Sequence, residues 1–223
     1  MIRHKAVKES LEVGKVEEWN DDHDLNPDTE MLVFYNFAFI PFDQAFDTSQ
    51  TTGSGSASEG LSGNYFTINL ESGTTADSIA SIRLKKGNVV NKISLPIGTF
   101  SLKLETTKQI EFGFFDNNTT PFTTNQAGAY FRVKDGKIYA VVGDGTAETE
   151  TEIGTPSTYN IYRIEFTSSD IRFYVGDFTV IAQTINTNIP SGDLTIKVSV
   201  KESAGESQIA RVDFISLKRL RKH

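Results

Sequence analysis

Cysteine is absent from the 223 residues, which removes disulfides, thiolate metal centres and cysteine nucleophiles together. It leaves the compartment open, since a cysteine-free chain suits either side of a membrane. Histidine is nearly as scarce, and His4, His23 and His223 all lie near the chain ends. A histidine-based catalytic triad would have to be assembled from termini that cannot hold a base in place. His23 has no second histidine at ligand spacing, so it reads as a solvated polar residue rather than a metal ligand. Methionine numbers 2, and no apolar stretch approaches the roughly 20 residues of a membrane span. No apolar region follows Met1-Ile2-Arg3-His4-Lys5, so a cleavable signal peptide is not expected. Neither a glycine-rich phosphate loop nor zinc-type ligand spacing occurs. No cofactor is expected.

Positive charge is missing from a long interval. Between Val16 and Ile82 there is no Lys or Arg, and Glu17, Glu18, Asp21, Asp22, Asp24, Asp28 and Glu30 crowd its start. Both ends are basic, with Arg3, Lys5, Lys8 and Lys15 at one and Lys218, Arg219, Arg221 and Lys222 at the other. Such ends are either solvated tails or docking segments for an acidic neighbour. No dense basic patch recurs in the body, so nucleic acid is not an expected partner.

What is present is a period of two. Tyr162, Ile164 and Phe166 alternate with Arg163 and Glu165, Ser168-Ser169-Asp170 turns the chain, and Ile171, Phe173 and Val175 resume the alternation. Gly176-Asp177 makes the next turn, and Phe178, Val180 and Ala182 follow before the stop at Ile189-Pro190. This is the pattern of half-buried strands in a meander. Hydrophobic content of 38% with 16 Phe and 7 Tyr supplies a sizeable core and favours sheets. Further strands are expected at Tyr65–Leu70, Ile79–Leu84, Val89–Leu95, Phe100–Leu104, Ile110–Phe115, Ala129–Val133, Ile138–Val142, Tyr159–Phe166, Ile171–Val175, Phe178–Ile185, Leu194–Val200 and Ile209–Leu217. Asp135-Gly136, between Val133 and Ile138, is a strong hairpin signal because both residues tolerate positive φ. A dozen short strands without a persuasive helix predict an all-β fold, a two-sheet antiparallel β-sandwich of jelly-roll type.

Residues 1–30 read as a short N-terminal docking arm, and 31–223 as the sandwich domain. Asn26-Pro27-Asp28 closes the arm with a turn. The arm's apolar contacts are Leu11, Val16 and the single tryptophan, Trp19. Trp19 either anchors the arm to a partner or caps one end of the sandwich. Met31–Ile40 is an almost unbroken apolar run and fits a strand buried on both faces. Residues 48–60, rich in Ser, Thr and Gly, are a flexible loop or a linker. The linker reading would make 61–223 separable. The loop reading is preferred, because an isolated apolar strand could not bury both faces.

Two resemblances follow. Ala129–Val142 and Tyr159–Pro190 together resemble concanavalin-A-like lectin and glucanase sandwiches, over roughly residues 61–218. A late strand of that family often carries a Tyr-Val-Asp-Gly-like turn, and Tyr174-Val175-Gly176-Asp177 holds the same place with its last two residues exchanged. The arm, Gly14-Lys15-Val16-Glu17-Glu18-Trp19-Asn20-Asp21-Asp22-His23, resembles the Trp-Asn-x-Asp-His leader that precedes β-rich domains of phage-tail and virion-surface proteins. With the length and composition, this makes the chain similar to turret (vertex) proteins of the Sulfolobus turreted icosahedral virus. That resemblance implies a virion structural protein at the capsid surface, a homo-oligomer that docks to other capsid or turret subunits and projects a jelly-roll domain, with host attachment as a further role. The first resemblance implies the alternative, a carbohydrate-binding lectin-like module whose partner is a glycan.

Hydrolases of the lectin/glucanase type need two carboxylates in one cleft. Glu148-Thr149-Glu150-Thr151-Glu152 has the alternate spacing, but it lies in a Thr/Glu-rich stretch without aromatic neighbours and reads as a solvated loop or edge strand. Glu105, Glu111 and Glu165 read as isolated, outward-facing strand carboxylates. An enzyme is therefore not expected. Asp116-Asn117-Asn118-Thr119-Thr120 is a polar turn that could give oxygen ligands to Ca²⁺ or contacts to a sugar, with Asp116 and Asn118 as the ligand candidates. It also holds overlapping sequons, which makes Asn117 and Asn118 glycosylation candidates.

Overall fold

A computed structural model describes residues 29–36, 46–48, 50–62, 65–85, 90, 92–176 and 178–220. The arm residues Leu11, Val16 and Trp19 lie outside the described residues. In chain order the strands are β1 (Thr29–Asn36), β2 (Phe46–Asp47), β3 (Ser56–Ser62), β4 (Tyr65–Glu71), β5 (Ile79–Leu84), β6 (Ile97–Leu104), β7 (Gln109–Asp116), β8 (Gly128–Lys134), β9 (Lys137–Gly143), β10 (Glu148–Gly154), β11 (Tyr159–Phe166), β12 (Ile171–Val175), β13 (Gln183–Ile185), β14 (Leu194–Lys201) and β15 (Ile209–Leu220). Among the described residues the sole helical element is a 3-10 turn at Lys92–Ser94.

The strands form two antiparallel sheets packed face to face. The seven-stranded sheet has the order β10-β9-β8-β7-β14-β5-β2; the eight-stranded sheet runs β13-β12-β11-β6-β15-β4-β3, with β1 also paired to β15. The inner faces interdigitate through aromatics. Phe112 of the first sheet meets Phe100 and Tyr162 of the second at centroid separations of 5.9 and 4.9 Å, and stacks on Phe131 of its own sheet at 5.1 Å. Truncating such a fully buried Phe to Ala costs about 3–5 kcal/mol. The fold is thus an all-β sandwich of the expected class.

Turn chemistry decides several connections. Asp135 and Gly136 take φ of 51° and 78°, the twist-matched hairpin turn their sequence predicts. The strand expected at Val89–Leu95 is replaced by a single bridge from Val90 to Leu194 and the 3-10 turn. Leu95 sits at a φ of 43° and Pro96 offers no donor, so a ladder cannot run through them. The strand expected at Phe178–Ile185 shrinks to β13. Phe178 instead packs edge-on against Tyr174 at 6.4 Å, and Val180 and Ile181 are exposed. Residues 48–60 are not wholly loop: β3 begins at Ser56 and pairs along β4 from Ser56–Glu71 to Ser62–Tyr65. β1 pairs with β15 from Thr29–Leu220 to Asn36–Phe214, so the described part of the apolar run, Met31 to Asn36, belongs to the eight-stranded sheet.

One irregularity shapes β15. Its pairing with β6 shifts between Val212 and Phe214, so Asp213 is an extra residue. Upstream, Ala210 and Val212 face the core; downstream, Ile215 and Leu217 do. The bulge changes the parity of the strand, and without it both downstream residues would point outward.

Candidate functional site

The chemistry gathers on the outer face of the seven-stranded sheet. Alternation sends Ile110, Phe112 and Phe114 of β7 into the core and turns Glu111, Gly113 and Phe115 outward. On the same face stand Arg83, Lys197, Tyr130, Arg132, Tyr139, Val141, Glu148 and Glu150. Gly113 has a φ of 148°, and a Cβ there would lie 2.6 Å from both Ala129 O and Tyr130 Cα. Only glycine therefore lets Tyr130 pack directly opposite on β8.

An outer face is ordinarily wet, yet Glu111 and Tyr130 are 0% exposed and Lys197 is 1% exposed. The β7–β8 loop, residues 117–127, explains it by crossing the sheet. Arg83 Nη1 donates to Asn117 O at 3.1 Å and to its Oδ1 at 3.3 Å. Lys197 Nζ donates to Thr119 O at 2.7 Å, and Gln50 Nε2 donates to the same carbonyl at 3.0 Å. Farther along, the Phe122 N–H and Gln126 Nε2 each donate to Glu111 Oε2 at 2.9 Å. The Gln126 N–H donates to Glu148 Oε1 at 2.9 Å. The loop therefore reaches from β5 across to β10.

Arg132 organises the centre. Its Nε donates to Glu111 Oε1 at 2.8 Å, and its Nη1 to Glu150 Oε2 at 2.7 Å and Glu148 Oε2 at 3.3 Å. The Tyr130 hydroxyl donates to Glu148 Oε1 at 2.5 Å and accepts from Arg132 Nη2 at 2.9 Å. Burial pushes the Glu111 carboxyl above its ordinary range, opposed by Arg132, Gln126 and the Phe122 N–H. Burial also pushes Glu148 up, but bonds from Tyr130, Arg132 and the Gln126 N–H outweigh it and hold the group below the usual value. Lys197 is pulled down to about 8, first by burial and then by the Arg83 charge, with Asp116 opposing.

Toward β9 and β10 the same face carries half-buried Lys134 and Tyr139 and exposed Glu150 and Glu152. Phe115 and Tyr130 stack at 4.5 Å and form a small apolar cluster with Val141, against which the half-buried Tyr139 packs. Tyr139 stands opposite Arg132 on β8 and Glu152 on β10. Lys134 Nζ lies 5.4 Å from its ring centroid, and Lys137 pairs with Glu152 at 2.7 Å. An aromatic ring flanked by donors and acceptors on a solvent-facing sheet can stack on an apolar molecular face and bond the hydroxyls at its rim.

The predicted residues fall at the loop's start. Asp116 ends β7, and its Oδ1 accepts from the Asn118 N–H at 2.8 Å, so this carboxylate caps the turn. Asn117 is half-buried against Arg83, whereas Asn118 is exposed. Glu111 is outward-facing as expected but walled off rather than solvated, because the loop lies on it. Glu148 and Glu150 both pair with Arg132, Glu148 half-buried and Glu150 exposed, while Glu152 stays exposed on the same edge strand. Glu105 pairs with Lys103 at 3.0 Å and Arg211 at 2.9 Å; Glu165 pairs with Arg163 at 3.1 Å. Sequence reasoning missed Tyr130, Arg132, Tyr139 and Lys197. Their signal was available in the Tyr130-Phe131-Arg132-Val133-Lys134 alternation, which puts an aromatic and two cations on one face.

No family model matches this chain, and no curated protein matches it in sequence. Solved structures do. A protein of unknown function from Shewanella oneidensis MR-1 superposes with a TM-score of 0.61 at 14% identity, covering 87% of this chain and 90% of that one. A Bacillus licheniformis β-glucanase gives 0.60 at 11% identity, over 85% and 98% of the two chains. The exoplasmic/lumenal domain of VIP36, in its Ca²⁺/Man3GlcNAc-bound form, gives 0.57 at 10% identity, over 85% and 89%. The architecture is shared with lectins and glucanases of the concanavalin-A-like type.

Proposed function

We propose that this chain is a carbohydrate-binding, lectin-like module that holds a saccharide on the outer face of the seven-stranded sheet, with Tyr139 as the stacking ring. The observation that carries this is Tyr139 itself, half-buried on the outer face between Arg132 and Glu152, with the Lys134 ammonium over its ring at 5.4 Å. The VIP36 exoplasmic/lumenal domain, a neighbour in fold, has solved forms with Ca²⁺ and Man3GlcNAc or Man2 bound, beside one with Ca²⁺ alone. The same face supports binding without turnover. A general acid needs a raised pKa together with access to the substrate. Glu111 has the first without the second, and Glu148 is held low by Tyr130 and Arg132. Glu111's outward neighbours on its own strand are Gln109, Gly113 and Phe115, so β7 offers no second carboxylate on that face before Asp116.

Isothermal titration of the full chain with mannobiose and with a β-1,3-1,4-glucan tetrasaccharide tests the reading. Binding of either, weakened about tenfold or more by Tyr139→Ala, is the expected result. Binding indifferent to Tyr139 would place the site elsewhere, and release of reducing sugar from the glucan would replace the lectin reading with a hydrolase. A virion-surface role of turret type, as the leader resemblance implies, rests on the arm and is tested separately: Trp19→Ala should weaken association with partner subunits by roughly 2 kcal/mol or more while the sandwich loses little stability.

A further inference from the structure

We propose a second saccharide-binding site on the opposite side of the sandwich, built from Tyr159, Ser101 and Asp213 on the outer face of the eight-stranded sheet. Tyr159 is 54% exposed, yet its position is fixed at the tip. Its hydroxyl donates to Asp213 Oδ2 at 2.7 Å and lies 2.8 Å from Ser101 Oγ. Ser101, itself fully buried, donates to the same Oδ2 at 3.1 Å. The β-bulge delivers the carboxylate, since Asp213 is the residue inserted between Val212 and Phe214 in the pairing with β6. Bulges re-aim side chains in this manner next to binding sites.

An exposed tyrosine whose hydroxyl is tied to a carboxylate on the sheet has little rotamer freedom left to lose, which lowers the entropic cost of stacking a ligand on it. Both bonds to Asp213 fall on Oδ2, so Oδ1 can accept from an incoming hydroxyl. The rim continues in polar groups. Lys103 stands opposite Tyr159 in register, and Lys103 and Arg211 converge on Glu105 at 3.0 and 2.9 Å. A ring for an apolar sugar face, a carboxylate for hydroxyl donors and cationic donors beside it suit a neutral hexopyranose. This site stands independently of Tyr139. Two sites on opposite faces would let one molecule bridge saccharide chains, raising avidity on a multivalent surface without any new contact.

The test titrates the full chain and its variants with mannobiose and the β-1,3-1,4-glucan tetrasaccharide. Tyr139→Ala should leave residual binding, and adding Tyr159→Ala or Asp213→Asn should weaken that residue about tenfold or more. Asp213→Asn preserves side-chain size, so a binding loss at unchanged melting temperature reports the site rather than unfolding. Residual binding that ignores both substitutions overturns the proposal. Binding abolished by Tyr139→Ala alone leaves the first site standing and removes the second. Binding abolished by Tyr159→Ala alone does the reverse, and no binding by the wild type removes both.

Discussion

Lys197 is 1% exposed, and its ammonium meets carbonyl oxygens rather than a carboxylate. Replacing it with methionine keeps an unbranched four-atom stem and deletes the buried ammonium. Its pKa falls from 10.5 to about 8 in the folded protein, and at about 1.4 kcal/mol per unit that is a penalty on the order of 3 kcal/mol at neutral pH. Between about pH 8 and 10.5 the unfolded chain holds a proton that the folded chain has released. This group therefore makes folding stability rise with pH across that window. Lys197→Met loses two hydrogen bonds, a short one to Thr119 O at 2.7 Å and a long one to Asn117 O at 3.5 Å, together worth about 1–2 kcal/mol. Both carbonyls keep another donor, Gln50 on Thr119 O and Arg83 on Asn117 O. The variant should therefore be more stable than wild type at pH 7, by roughly 1–2 kcal/mol, and lose that advantage by about pH 10.5. Urea unfolding of both proteins from pH 7 to 10.5 reads it directly, and the difference cancels changes shared by the two. A variant weaker by 2 kcal/mol or more at pH 7, or a difference independent of pH, would refute the reasoning.

Tyr162 is fully buried among Phe112 and Phe131, and its hydroxyl has no hydrogen-bond partner among the described residues. Tyr162→Phe should raise stability by about 1 kcal/mol in thermal unfolding, since an unsatisfied hydroxyl leaves the core. Gly113→Ala should cost roughly 3 kcal/mol, from overpacking against the β8 backbone and a φ of 148°; an unchanged melting temperature would contradict the contact. Glu148 titrates below its ordinary 4.5 in the fold, so its contribution is present above that pH and is lost as pH falls through the folded value. Glu148→Gln should accordingly flatten the acid limb of the stability profile, and an acid limb identical to wild type would exclude the Tyr130–Glu148–Arg132 network from stability.

Much of the fold was legible because its strands alternate on a half-buried face. β5, β11 and β12 fall on the residues the period-two pattern marks, and Asp135-Gly136 forms the hairpin its composition requires. The misses have physical causes. β3, Ser-Ala-Ser-Glu-Gly-Leu-Ser, is held by backbone pairing to β4, so no hydrophobic pattern announces it. Phe178 satisfies its ring against Tyr174 and Arg163 on the outer face, which a period count cannot distinguish from core packing. The bulge at Asp213 flips the parity of β15, and nothing local in Arg211-Val212-Asp213-Phe214 signals it. The candidate site was the least legible part. Glu111 is charged and outward-facing in the pattern, and its burial comes from a loop that a strand-by-strand reading treats only as a turn.

The proposed saccharide site occupies the outer face of β8, β9 and β10. Backbone amide chemical-shift mapping of the ¹⁵N-labelled full chain, titrated with mannobiose and the β-1,3-1,4-glucan tetrasaccharide, tests it most directly. Saturable shifts should cluster at Arg132–Lys134, Lys137–Tyr139 and Glu150–Glu152 and disappear in Tyr139→Ala. A spectrum unmoved at those amides by either saccharide would contradict it.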